Sequence, residues 1–312
     1  MACVCGDVFV DVGINMRIRD LIDLFLLAAL WGASFLFIRV AVPHFGPVPL
    51  MELRVAIGGV FLLPLLMYRD GLQDLRAAIK PIFILGVVNS VLPFTLIAYS
   101  MISLTAGFGA IINASSPLFS AIVAYLWLQD RLTPLRVIGL VIGFTGVTVL
   151  VWPEASFKPG GNGFAVIAGL AAALLYGVAV NYTKSSLKGV NSLAIACGSQ
   201  LCAAVVLLPL AIWWWPAQLP GLTVWLNVIG LAVGCTGLAF ILYFRLIANA
   251  GPAKAISVTF LVPVFGVLWG IVFLGEEPTV NMLAGCVIIL LGTAFATGIL
   301  ARKAVPVPQT AS

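Results

Sequence analysis

Charged side chains are scarce in this chain. Only 9% of its 312 residues are Asp, Glu, Lys or Arg, whereas 62% are hydrophobic. An ordinary soluble domain has roughly 25% charged residues, because a surface that faces water must be covered by polar groups. The scarcity therefore excludes an ordinary soluble protein and predicts a chain whose surface faces lipid.

Several chemistries lack the residues that they need. The single histidine, His44, rules out a histidine-rich metal site, and we expect no metal and no cofactor. The sequence has no Gly-x-x-x-x-Gly-Lys-Ser/Thr motif, so the chain has no ATP-hydrolysing loop of that type. Its scattered single charges do not form the clustered acids and bases of a membrane enzyme, which predicts that the protein is not an enzyme. The Lys and Arg residues lie in twos and threes between apolar runs, which argues against nucleic-acid binding.

Long apolar runs make up most of the chain. Continuous apolar stretches of about 20 residues cross a hydrocarbon layer of about 30 Å as helices, because only helices and closed barrels satisfy the backbone in lipid, and barrel strands alternate in polarity. The expected fold class is an all-α integral membrane protein with ten transmembrane helices. The predicted spans are residues 20–42, 47–68, 80–101, 104–128, 134–152, 162–184, 190–214, 222–247, 252–274 and 279–300.

Positive charges alternate between the two sides of these spans. Thirteen of the 16 Lys and Arg residues fall on one side; the opposite loops hold Lys158, and Arg39 and Arg54 lie within the outer ends of spans. Because Lys and Arg collect on the cytoplasmic side, we expect both termini to be cytoplasmic. Residues 1–15 lack the basic segment and apolar core of a typical signal peptide, and Met16 is a candidate start of translation beside Met1.

The two halves of the chain repeat each other at a shift of about 145 residues. Matched pairs include Trp31 with Tyr176, Gly32 with Gly177, Gly86 with Gly230, Tyr99 with Tyr243, and Pro117 with Pro263. Each half has five spans, an odd number, so the second copy must be inverted relative to the first, as in alternating-access carriers. The predicted organisation is a tail (1–19), a first repeat (20–152), a linker (153–161), a second repeat (162–300) and a tail (301–312).

Short motifs in both copies resemble the EamA repeat of the drug/metabolite transporter superfamily. They are Trp31-Gly32-Ala33-Ser34-Phe35, Arg54 followed by Ala56, Pro117, and Leu274-Gly275-Glu276 through Gly285 to Gly292. The resemblance covers residues 20 to 300 and implies a basket-shaped ten-helix carrier of the bacterial inner membrane that exports small metabolites, similar to the family's amino-acid exporters. The first copy departs from the family pattern, since Gln129-Asp130 stands where Gly-Glu is usual.

Polar and aromatic residues at span centres are the candidate substrate-binding residues, because carriers built from inverted repeats bind substrate near the bilayer midplane. They are Trp31, Asn89, Asn113, Ser116, Tyr176, Gln200 and Thr236. The alternative is that the small and hydroxyl residues only let helices pack closely. Candidate gating residues are Tyr99, Tyr243, Pro117 and Pro263; the alternative for the two tyrosines is the aromatic belt at the membrane interface.

Four charged residues are expected to form structural ion pairs, since a charge inside a span is costly and finds a partner. They are Arg39, Glu52, Arg54 and Glu276. An outer gate is the alternative, and Glu52 is the sole internal carboxylate that could carry a proton; facilitated export without proton coupling is equally consistent. Because these charges lie towards the outer side and none lies at the midplane, the sequence favours neutral or zwitterionic small molecules, above all amino acids with aromatic or other apolar side chains. The alternatives are an exporter of drug-like organic cations and, in another class, a membrane receptor or scaffold. The expected partners are the small-molecule substrate and the lipid bilayer, and the oligomeric state, monomer included, stays open.

Overall fold

The computed structural model describes residues 17–297, apart from the side chains of residues 252 and 253. Eight helices are long and apolar enough to cross a membrane, and two shorter apolar helices follow them. The helices are α1 (Ile18–Phe45), α2 (Pro47–Tyr68), α3 (Ile79–Ser100), α4 (Ala106–Leu128), α5 (Pro134–Val151), α6 (Gly163–Ser186), α7 (Ser192–Trp213), α8 (Leu222–Ala250), α9 (Val258–Leu274) and α10 (Val280–Ala296). Short helices at Leu72–Ala77 and Pro252–Ala255 precede α3 and α9. The part of the chain that the structure describes contains no strand, and the all-α, ten-helix fold is confirmed.

The ends of the helices follow from local sequence signals. α5 and α10 begin at equivalent threonines, whose hydroxyls accept a hydrogen bond from the amide three residues on, at 3.4 Å for Thr133 and 3.2 Å for Thr279. α4 and α9 end at equivalent left-handed residues, Gln129 with φ 54° and Gly275 with φ 65°. The left-handed conformation favours glycine. The first repeat has Gln129-Asp130 where Gly-Glu is usual, and Gln129 nevertheless adopts the same left-handed conformation as Gly275.

Gly46 alone separates α1 from α2. Its φ of 75° is in the left-handed region, and its amide still bonds the Val42 carbonyl at the end of α1. Pro47 then occupies the first position of α2, where a missing amide hydrogen costs nothing. The reversal between the first two spans is therefore made by one residue. By contrast, five residues, 187–191, separate α6 from α7 in the second repeat.

Packing between the helices follows the two-fold relationship of the repeats. α1 packs along α9, and the equivalent α6 packs along α4; α2 packs against α8, and the equivalent α7 packs against α3. α2 also packs against its own counterpart α7, as α5 does against α10. Each spanning helix therefore makes its main contacts with helices of the other repeat. The two halves form one bundle.

Glycines permit the closest of these approaches. A Cβ atom added at Gly32 of α1 would lie 2.6 Å from the Cβ of Phe265 in α9, and one added at the equivalent Gly177 of α6 would lie 2.7 Å from the Ser120 amide nitrogen in α4. In the seam between α5 and α10, a Cβ at Gly146 would lie 2.7 Å from the amide nitrogen of Ile289. At these crossings the small residues let the helix backbones approach closely without a layer of side chains between them, as is usual between helices in lipid.

Large apolar side chains cover the outside of the bundle. Leu126, Val141 and Val280 are exposed on helix surfaces, and Trp213 at the end of α7 is 83% exposed. Water would penalise this surface, whereas hydrocarbon does not, so the outward pattern agrees with a membrane protein. Residues 298–300 of the last predicted span and the predicted tail 301–312 lie outside the described residues. Met1 and Met16, the two candidate starts of translation, lie outside them as well.

Candidate functional site

Two π-helical segments interrupt equivalent spans near the centre of the bundle. They are Val87–Val91 in α3 and Gly230–Leu238 in α8. A π turn widens the helix and displaces its side chains, and such turns occur often at functional sites. In α8 the wider turn lets the Thr236 hydroxyl bond the Leu231 carbonyl, five residues back, at 3.2 Å. These segments supply Asn89, Ser90 and Thr236 to the interior.

Arg54 of α2 is buried beside the π segment of α8. Its Nε donates a hydrogen bond to the Thr236 hydroxyl at 3.2 Å, and its guanidinium carbon lies 3.9 Å from the centre of the Phe94 ring of α3. The side chain is only 7% exposed. Three spans thus fix one cation in the middle of the bundle, through a hydrogen bond on one side and an aromatic face on another.

Tyr176 completes this cluster from α6. Its ring meets Phe94 edge-on, with 6.4 Å between ring centroids and 60° between the ring planes. Tyr176 and Cys235 both lie within electrostatic range of the Arg54 guanidinium. We call Arg54, Phe94, Tyr176, Cys235 and Thr236 the arginine cluster. The structure therefore brings together two predicted binding residues, Tyr176 and Thr236, around a residue predicted to be structural.

Gln200 of α7 makes the equivalent contact in the other repeat. Its Nε2 donates to the Ser90 hydroxyl, in the π segment of α3, at 3.0 Å. Both side chains are fully buried, and the Gln200 Oε1 has no hydrogen-bond partner among the described residues. This is a neutral, enclosed version of the contact between Arg54 and Thr236.

A second aromatic pair joins α1 to α8. The rings of Trp31 and Tyr243 lie 5.4 Å apart, tilted by 47°. Both are half-buried, which leaves part of each ring face open. The predicted gate residue Tyr243 and the predicted binding residue Trp31 therefore contact each other.

The polar residues of α4 lie at a break in that helix. Ala114 and Ser115 form a turn between two helical segments, and the Ser116 hydroxyl bonds the Asn113 carbonyl at 2.7 Å. The side-chain oxygen of Asn113 is buried without a partner among the described residues. A buried amide oxygen without a donor is costly and able to accept a hydrogen bond from a ligand. Asn89 is half-buried and makes no described hydrogen bond.

The remaining candidate gate residues differ between the repeats. Tyr99 is 45% exposed, in contrast to its counterpart Tyr243. Pro117 lies directly after the break in α4, at the start of a helical segment, whereas Pro263 lies within the continuous helix α9. The exposure of Tyr99 is typical of an aromatic residue at a membrane interface.

Among the described residues, no ion pair joins Arg39, Glu52, Arg54 or Glu276 to another member of this set. Arg39 instead donates to the carbonyls of Met101 and Ile102, at 2.6 and 2.7 Å, just after the end of α3. Backbone groups at helix ends, which sequence reasoning did not consider, are the competing partners. Arg54 instead contacts the side chains of the arginine cluster described above.

The two acids of that set are also unpaired with arginine. Glu276 accepts hydrogen bonds from the backbone amides of Ala106 and Gly107, at 2.7 and 3.1 Å, and so caps the start of α4. Glu52 is 6% exposed, and its Oε2 has no hydrogen-bond partner among the described residues. An amide cap offers a carboxylate the positive end of a helix in place of a cation.

An ion pair that sequence reasoning missed joins α1 to α8. Asp23 accepts a hydrogen bond from the Arg245 Nε at 2.6 Å, and the second carboxylate oxygen bonds the Arg245 Nη2. One turn away, Asn249 donates to Asp20 at 3.3 Å. These contacts lie at the end of the bundle where α1 begins. The signal was present in the sequence, because Asp20 and Asp23 are the acids of the first span, but their partners lie more than 220 residues away.

Comparison with known proteins supports this architecture. The EamA-like transporter family model matches residues 21–152 and 163–298. The uncharacterized transporter YvbV of Bacillus subtilis is 24% identical over 88% of this chain and 90% of its own length. The probable terminal-alkyne amino-acid exporter of Streptantibioticus cattleyicolor is 26% identical over 84% and 88%, and the inner membrane transporter YedA of Escherichia coli is 28% identical over 84% and 86%.

A solved crystal structure shows the same fold. Its chain is 22% identical, the match covers 93% of this chain and 100% of that one, and the TM-score is 0.66. Both repeats of the bundle match the family model, and the relatives that match along most of the chain are named as transporters. The chain therefore belongs to the EamA-like transporter family and is a multi-pass membrane transporter, not an enzyme.

Proposed function

We propose that this transporter exports zwitterionic small metabolites, above all amino acids with aromatic or other apolar side chains, from the cytoplasm by alternating access. The observation that carries the proposal is an interior that combines two aromatic pairs with few polar groups. The pairs are Trp31 with Tyr243 and Phe94 with Tyr176, and Arg54 lies against Phe94. Aromatic faces suit an apolar side chain, and the polar groups suit the charged end of an amino acid. The relative from Streptantibioticus cattleyicolor is named as a probable amino-acid exporter, which supports the same class of cargo.

The predicted topology indicates which end of the bundle faces the cytoplasm. The excess of Lys and Arg on one side supports an orientation with both termini in the cytoplasm. In that orientation the Asp23–Arg245 contact lies at the cytoplasmic end of α1 and α8. Tyr243, two residues before Arg245, gates the inner side together with Trp31, while Pro117 and Pro263 are the points at which α4 and α9 bend.

Export of organic cations is the competing function. The aromatic pairs would attract a cation, but the buried guanidinium of Arg54 repels one, and no described acid pairs with Arg54. A site for cations needs a negative or neutral interior, so Arg54 favours the amino-acid proposal.

Counterflow in proteoliposomes tests the proposal. Vesicles that contain the purified protein and excess unlabelled phenylalanine are diluted into labelled phenylalanine, leucine or tetraethylammonium, a cation that crosses protein-free bilayers slowly. We expect phenylalanine and leucine to accumulate in the vesicles and tetraethylammonium not to, relative to vesicles without protein. Accumulation of tetraethylammonium without either amino acid would overturn the proposal.

Two tryptophan variants locate the site in the same assay. Trp31→Ala removes an aromatic face of the interior and should lower phenylalanine counterflow about fivefold, because an aromatic contact of this kind contributes about 1 kcal/mol. Trp213→Ala changes a residue that is 83% exposed at the end of α7, and is expected to leave counterflow within about twofold. Equal losses in the two variants would place the transport site elsewhere.

A further inference from the structure

We propose that Arg54 is the receptor for a carboxylate group of the transported molecule, so that the site selects substrates with one carboxylate. The inference rests on the proposed function, because it takes the arginine cluster as part of the transport site. It also replaces the expectation that the centre of the bundle holds no charge. The argument rests on three properties of Arg54: its missing counter-ion, its fixed orientation and its unused donors.

Arg54 has no counter-ion among the described residues. Its hydrogen-bond partner is a hydroxyl, its stacking partner is a phenyl ring, and its polar neighbours Tyr176 and Cys235 are neutral in their ordinary states. Glu52 lies two positions earlier on α2, and residues two apart on a helix point about 200° away from each other. A cation this deep in a membrane protein is costly without a partner and marks a functional site by default.

The orientation of the guanidinium is fixed. The hydrogen bond to Thr236 holds Nε at 3.2 Å, and Phe94 covers one face of the group at 3.9 Å. These two contacts come from α8 and α3, so the side chain is held between both repeats. A group fixed in this way loses little freedom when a ligand binds, which favours affinity.

The two terminal nitrogens of Arg54 are the unused donors. Neither has a hydrogen-bond partner among the described residues, and neither is among the polar atoms that are both unpartnered and sealed from solvent. Together they present parallel N–H bonds with the spacing of the two oxygens of a carboxylate. Because Nε is already bonded to Thr236, the two terminal nitrogens are the guanidinium donors that remain for a ligand.

The single charge of Arg54 also selects among anions. One carboxylate neutralises it, whereas a phosphate monoester carries close to two negative charges at neutral pH and would leave an excess in the membrane interior. An organic cation would double the positive charge there. A carboxylate-bearing molecule is therefore the class that this site fits.

The test compares three probes that differ in the anionic group. Counterflow is measured for phenylalanine, for phenylalaninamide, which lacks the carboxylate, and for phenyl phosphate. The wild-type protein should carry phenylalanine at least about tenfold faster than either of the other probes, because an unpaired buried charge penalises a ligand without the matching group. In Arg54→Gln the preference for phenylalanine over its amide should fall to about twofold or less.

A matched variant and a conservative variant complete the design. Arg136→Gln removes an arginine from the exposed pair with Asp130 and should keep the wild-type preference. Arg54→Lys keeps the charge without the fork and should keep part of the preference. Size-exclusion profiles and thermal unfolding in detergent are recorded for each variant.

The outcomes separate the two proposals. If the wild-type protein carries no amino acid, the proposed function fails. If it carries phenylalanine and its amide equally, or if Arg54→Gln keeps the full preference, the function stands and the carboxylate receptor is overturned. Faster counterflow of phenyl phosphate than of phenylalanine would also overturn it, in favour of a phosphate site.

Discussion

The contact of Arg54 with Thr236 and that of Gln200 with Ser90 are two versions of one arrangement. In each, a polar side chain from the second helix of one repeat donates to a hydroxyl in the π-helical segment of the other repeat, at 3.2 and 3.0 Å. The backbone scaffold is shared, but only one version carries a charge. The Arg54 version retains unused donors, whereas the Gln200 and Ser90 side chains are both fully buried.

The difference separates architecture from selectivity. Equivalent glycines, threonine caps and π segments maintain the bundle in both halves. These features act on the backbone, so they work equally well in the inverted repeat. A charge and its ligand are directional, and a second arginine at the Gln200 position would add another buried cation. Repeat symmetry therefore accounts for the fold, and under the proposed function the departure from that symmetry at Arg54 would select the cargo.

The largest expected effect comes from removing the charged side chain. Arg54→Met should lower phenylalanine counterflow about 10- to 100-fold, because a hydrogen bond to a charged group contributes about 1.5 to 3 kcal/mol. Gln200→Met, its counterpart in the neutral version, should stay within about threefold of wild type. Initial rates in proteoliposomes measure both, and a similar loss in the two variants would show that the charge does not distinguish them.

Equivalent glycines should respond equally, because they belong to the shared scaffold. Gly32→Val and Gly177→Val each force a side chain into backbone or Cβ atoms at 2.6 to 2.7 Å, and each should lower the free energy of unfolding by about 1 to 3 kcal/mol. Thermal unfolding in detergent checks this. A large loss of stability at one position alone would contradict the equivalence of the two crossings.

The two hydroxyls should differ in transport more than in stability. Thr236→Val removes the acceptor that fixes the Arg54 Nε and should lower phenylalanine counterflow by about tenfold or less, since the guanidinium keeps its charge. Ser90→Ala removes the acceptor of the neutral version and should change counterflow less than about twofold. If Ser90→Ala has the larger effect, the enclosed version lies on the transport path.

The smallest effect is expected at the ion pair between α1 and α8. Asp23→Asn breaks the contact with Arg245, whose side chain is 55% exposed, so solvent screening limits the loss of unfolding free energy to about 1 kcal/mol or less. Thermal unfolding in detergent measures this loss. A loss larger than that caused by Gly32→Val would show that the pair contributes more than a solvent-screened contact.

The sequence predicted the helices well, because each rests on about 20 consecutive apolar residues, and this signal does not depend on distant contacts. Trp31, Tyr176 and Thr236 were predicted as binding residues from their central positions, and the structure places each beside a residue that fits that role; their roles stay predictions. The π-helical segments inside α3 and α8 were not predicted, since a π turn has no clear composition of its own. The break in α4 lies directly before Pro117, which was predicted as a gating residue.

The charged residues show where sequence reasoning failed. Arg54 was assigned to the outer end of its span from position alone, yet Thr236 and Phe94 come from helices 182 and 40 residues away. Glu276 was expected to need a cation, but two backbone amides satisfy it. Partners of this kind depend on which helix ends meet, and hydropathy contains no information on that.

Gly46 fixes the point about which α1 and α2 can move relative to each other. A connection of one residue has no slack, so the adjoining ends of the two helices cannot slide past each other by more than a few ångströms. Any relative motion of the two helices is therefore a change of angle about Gly46. If Arg54 receives a carboxylate as proposed, such a change of angle would carry the displacement from α2 to the far end of α1, where Asp23 lies.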